Sequence, residues 1–133
     1  VYTVFDRDRH RSFDEAIKKA EDSNQKLKND EKKSVKFQAI VSNPNFELWL
    51  LLHFKDVHES ILGEDALTQL RQEIEGYHKS QKGIFQNTQA YIEEAASRAK
   101  ALRVEANSYD RNPFTNVDEL VLPLLEIGRT RLI

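Results

Sequence analysis

The chain has 133 residues, 39% hydrophobic and 32% charged, with a formal net charge of −2 and no Cys. This length suits one domain with one core, and the absence of Cys excludes disulfides, thiolate zinc sites and cysteine nucleophiles. No apolar run approaches the roughly 18 residues of a membrane span, and no basic tail or stripe announces nucleic acid.

Val1 to Phe5 is a nearly continuous apolar and β-branched run, the pattern of a strand covered on both faces in a parallel sheet. Because the chain also lacks Met, it is expected to be part of a longer protein whose earlier residues are not represented. Ser12 with Glu15 forms a capping box, and Phe13, Ala16, Ile17, Ala20 and Leu27 share one face, so a helix is expected over 13–28. Val35, Phe37, Ala39 and Val41 then alternate with polar residues as in a half-covered strand. Asn43 suits an N-cap with Pro44 in the first helical position, opening an apolar helix over 44–54. Leu67, Leu70, Ile74 and Tyr77 mark the next helix, closed by Gly76 or shortly after. A long helix over 85–106 carries an Ala-rich stripe suited to close packing on a neighbouring helix. The Asn112-Pro113-Phe114-Thr115 segment reads as a turn and cap before a last apolar pattern, which Pro123 should kink or end early. The fold class is α/β, with parallel strands near 1–6 and 35–41 and a helical part over 64–128.

Two constellations carry chemistry. Asp6 and Asp8 leave the carboxyl end of the first strand, where open α/β sheets place ligands, and side chains two apart share a side if the backbone stays extended. Paired carboxylates with Arg7, Arg9 and His10 nearby suit Mg²⁺ or Mn²⁺ acting on a phosphoester, the cations contacting phosphate oxygens. The plain alternative is a solvated loop. An Asp-x-Asp after a strand also opens haloacid-dehalogenase phosphatases, where Asp6 would be a nucleophile, although His10 stands where a Thr or Val is usual.

The second constellation, Ser42 to Phe54, lies on the next strand-to-helix turn, so parallel strands would bring Ser42, Asn43, Asn45 and Glu47 near the aspartates. Glu47 in so apolar a helix must be exposed at the end, paired or functional. His53 reads first as a core histidine bonded to a carbonyl. Lys79, with His78 and Lys82, is a phosphate-contact candidate whose plain alternative is solvation.

Val1 to Asp8, the Phe13, Ala16-Ile17 and Ala20 positions, Ser42-Asn43-Pro44-Asn45-Phe46-Glu47-Leu48-Trp49-Leu50, Tyr77 with Lys79, and Asn112-Pro113 with Thr115 together resemble, in that order, the RloB-like family. The resemblance covers essentially the whole chain and implies a Toprim-like fold, with residues 1–54 as its α/β core and the whole as the C-terminal two-thirds of a longer protein. It implies an Mg²⁺-dependent nuclease, or another component processing nucleic-acid phosphodiesters, in prokaryotic antiviral defence by abortive infection or at restriction-modification loci. The expected setting is cytoplasmic, with a partner ATPase. Asp6 and Asp8 match the Toprim metal-binding aspartates; a further Toprim Glu is expected upstream of Val1. Glu47 is placed with the catalytic residues, and Ser42, Asn43, Asn45 and Lys79 with the substrate. A second reading keeps the fold as a non-catalytic scaffold that docks the ATPase.

Overall fold

The structure is a computed structural model that describes residues 1–8 and 10–131. Its sheet has the order β1 (Tyr2–Asp6), β2 (Gln38–Asn43), β3 (Phe114–Thr115). β1 and β2 are parallel, Val4 beside Ile40 and Asp6 beside Ser42, whereas β3 runs antiparallel with Thr115 beside Ser42. The helices are α1 (Phe13–Ser23), α2 (Phe46–Leu51), α3 (Gly63–Glu73), α4 (Ile84–Thr88), α5 (Ile92–Glu105) and α6 (Asp118–Arg131). The chain is therefore mixed α/β with a mostly helical C-terminal part. No helix among the described residues is long and apolar enough to cross a membrane.

Alternation along central β2 divides the core. Ala39 and Val41 face α1, where Phe13, Ala20 and Phe114 complete a small cluster. Ile40 faces the larger cluster, built on Leu48, Leu51 and Leu52 and covered by Leu70, Ala95 and Ala99. The Ala positions of α5 let its backbone approach α2, as the stripe predicts.

Several boundaries differ from expectation. β1 is an edge strand and not covered on both faces: Val1, Tyr2 and Val4 are exposed, because the helices pack over β2. α1 stops at Ser23, where the Asn24 side chain accepts the Phe37 amide at 3.0 Å and the chain turns into a small Lys28–Ser34 bridge, leaving Leu27 exposed. Ser12 precedes α1 but its hydroxyl makes no capping bond. β2 runs on through Asn43, so α2 begins at Phe46 and Pro44 precedes it. The expected 85–106 helix is broken by a 3-10 turn at Gln89–Tyr91, next to Thr88, whose hydroxyl bonds back to the Ile84 carbonyl at 2.8 Å. α6 runs through Pro123, which removes only one backbone donor. β3 carried no pattern to find, being two residues long.

Candidate functional site

Parallel pairing brings the carboxyl ends of β1 and β2 to one edge of the sheet. Beyond Asp6 the backbone stays fastened: Arg7 N–H donates to the Ser42 carbonyl and Asp8 N–H to the Pro44 carbonyl, each at 2.8 Å. Asp8 has φ +35°, left-handed for a residue with a side chain, and Asp is among the few types that adopt it readily. The extended run thus ends at Arg7, and the two carboxylates enter neighbouring clefts. Asp6 lines one of about 320 Å³ with Glu47, Tyr77 and Lys79. Asp8 lines another of about 400 Å³ with Asn43, Asn45, Gly63 and Lys79. Lys79 borders both.

Glu47 enters from the first turn of α2 and is only 3% exposed. Tyr77, just beyond α3, lines the same cleft as its carboxylate, and the Lys79 Nζ lies 3.9 Å from Glu47 Oε1 on a side chain that is 71% exposed. The Tyr77 hydroxyl is pushed up to about 12, first by burial and then by the neighbouring Glu47, so it keeps its proton. Asp6 is raised above the usual carboxylate range, first by burial, then by Glu47, with Asp8 adding to the effect. Lys79 and the Phe46 amide oppose this without cancelling it. Three carboxylates thus share one sheet edge with one lysine at both clefts.

The polar residues of the β2–α2 turn mainly build the walls. Ser42 is buried, its hydroxyl 2.9 Å from that of Thr115. Asn43 donates to the carbonyls of Tyr109 and Arg111. Asn45 Nδ2 donates to the Gly63 carbonyl at 3.1 Å, which fixes the orientation of its amide and leaves Oδ1 buried without a hydrogen-bond partner. Gly63 has a steric reason to be glycine: a Cβ there would lie 2.9 Å from Asn45 Nδ2 and 3.7 Å from Asp8 Oδ1. Asn112 caps no helix; both ends of its amide pair with the Ile61 backbone, at 2.9 and 2.8 Å, closing the Asp8 cleft from the loop side.

Arg7 and His10 are not brought to either cleft. The Arg7 guanidinium lies 4.5 Å over the Phe13 ring and 3.8 Å from Asp110, and His10 is exposed in the turn before α1. Arg9 lies outside the described residues. His53 is the core histidine expected, 3% exposed with Nδ1 3.0 Å from the Trp49 carbonyl, and burial lowers its pKa. Sequence reasoning assigned Gly63 no role, read Tyr77 as a helix-face residue and as part of the family resemblance without linking it to Glu47, and took Asn112 for a cap. A glycine opening a helix carries no distinctive pattern, and Tyr77 meets Glu47 only through the fold.

Among the described residues no three Asp, Glu or His side chains form a ready-made metal cage. The donor set nevertheless fits a hard divalent ion of the kind held by one or two carboxylates, water and substrate oxygens. Asp6 is the apt donor, since its anion is disfavoured until a cation balances it. The family model for RloB-like protein matches residues 1–124 of this chain. No curated protein and no solved structure matches it.

Proposed function

The chain belongs to the RloB-like family, and on that premise we propose that it is a Toprim-like, divalent-metal-dependent enzyme acting on nucleic-acid phosphodiesters in cytoplasmic prokaryotic antiviral defence. The observation that carries the reading is the gathering of Asp6, Asp8 and Glu47 at one sheet edge, with Lys79 bordering both clefts. Asp6 and Asp8 would hold Mg²⁺ or Mn²⁺. When bound, such an ion neutralises charge on phosphoryl oxygens and acidifies a water ligand. Lys79, largely exposed, is free to swing toward a phosphate oxygen. Glu47, buried beside Tyr77, would take the proton released as water adds to phosphorus, while the P–O ester bond breaks and the departing sugar oxygen gains a proton from solvent.

A net charge of −2 gives little grip on a phosphate backbone, whose affinity scales with the cations a protein presents. A partner, the ATPase implied by the family resemblance, would supply it. Labelled single- and double-stranded DNA and RNA, incubated with the protein and Mn²⁺, test the reading. Expected is cleavage that EDTA abolishes and that Glu47→Gln slows by about 100-fold or more, with Asp6→Asn and Asp8→Asn losing it. Absence of cleavage of every substrate, with or without the partner, would favour the scaffold reading instead.

A further inference from the structure

One face of α2 carries Phe46, Trp49 and Leu50, and His53 follows in the turn just beyond the helix at i+7 from Phe46. These four side chains wall a cavity of about 190 Å³, closed on its far side by Ile84, Phe85 and Thr88. It adjoins the acidic cleft, because Phe46, Leu50 and Ile84 line both. The space is open on one side, so it is an apolar-lined surface pocket and not a packing void. Its depth is sealed, with Trp49 and His53 each 3% exposed, whereas Phe46 and Phe85 are 39% and 53% exposed. Rings left in water beside an apolar cavity are stacking surfaces without a partner.

The cavity's chemistry narrows the occupant. Its volume of about 190 Å³ exceeds the roughly 150 Å³ that accommodates benzene, so a six-membered ring with exocyclic groups fits within it. His53 contributes one polar feature. Its Nδ1 faces the Trp49 carbonyl, which only accepts, so that nitrogen carries the hydrogen and Nε2 is left as an acceptor. A planar ring bearing an N–H donor satisfies both features, as does the N4 amino group of cytosine or N3–H of uracil and thymine.

We propose that this cavity binds the base of an unpaired pyrimidine nucleotide, its phosphate lying toward Lys79 in the acidic cleft, so that the substrate class is single-stranded nucleic acid. A base stacked within a duplex could not enter without being extruded. The placement of the phosphate rests on the phosphodiester reading above; the base pocket stands on the cavity alone.

Trp49 is the only Trp in the chain and lines the cavity, so its fluorescence reports occupancy directly. The protein in EDTA is titrated with dT8, rU8, dA8 and an octamer of abasic sites. Saturable quenching by dT8 and rU8, weaker quenching by dA8, and none by the abasic octamer are expected. Phe46→Leu and Phe85→Leu, at partly exposed positions and checked for unchanged thermal unfolding, should each weaken pyrimidine binding about 5- to 150-fold, the worth of one base–aromatic stack. No quenching by dT8 and rU8, equal quenching by the abasic octamer, or wild-type affinity in both variants would overturn the proposal. Quenching in EDTA without Mn²⁺-dependent cleavage would remove the phosphodiester reading and leave the base pocket, whereas cleavage without quenching would do the reverse.

Discussion

Asp6 concentrates the conflict between stability and function in one side chain. Burial and the neighbouring Glu47 raise its pKa, so the folded protein holds that proton more tightly than the unfolded chain does. Stability is therefore lost as pH rises from the ordinary value of 3.8 through the raised folded value, and at neutral pH the ionised Asp6 is a standing penalty. Asp6→Asn in EDTA should raise the urea midpoint at pH 7 with an unchanged slope, and this advantage should shrink toward pH 4 as the wild-type carboxyl becomes protonated. An equal or lower midpoint at pH 7 would contradict the electrostatic account. At this scale the sequence was partly legible: the Asp-x-Asp spacing and the placement of Glu47 in an apolar helix both marked carboxylates that the fold brings to one edge. The left-handed turn at Asp8 was not legible, because it depends on a hydrogen bond to Pro44 made only once β1 and β2 are paired.

Among the elements, α5 joins β3 to α6 through one charged side chain. Arg103 makes paired hydrogen bonds to Asp118 at 2.6 and 2.8 Å and another to the Thr115 carbonyl at 2.7 Å. Asp118 is 1% exposed, so Arg103→Ala would leave its charge buried without compensation, at a cost of about 3–5 kcal/mol. Urea unfolding of the variant measures this, and a loss below about 1 kcal/mol, the range of a surface pair, would contradict it. Helix periodicity located all the major helices, since apolar repeats record which face is buried. Their ends were harder to read: Asn24 stops α1 by bonding Phe37, thirteen residues along the sequence, and Thr88 interrupts a pattern that remains apolar on both sides. Pro123 misled in the other direction, because its neighbours continue the helix without its amide.

For the whole molecule, the parallel pairing of β1 and β2 decides where chemistry is possible. It sets the acidic loop after β1 beside the turn after β2, which is where open sheets bind their ligands. That arrangement was legible from two strand patterns and an intervening helix, whereas the exposure of β1 was not, because a run of apolar residues does not reveal how many neighbours the strand has. Calorimetric titration of Mn²⁺ into the protein, beside Asp6→Asn and Asp8→Asn, tests the central claim most directly. Saturable binding at one site in the wild type, weakened at least about tenfold in each variant, a change of 1.4 kcal/mol, is the predicted result. Wild-type protein that takes up no ion, or variants that bind as well as it does, would contradict the claim.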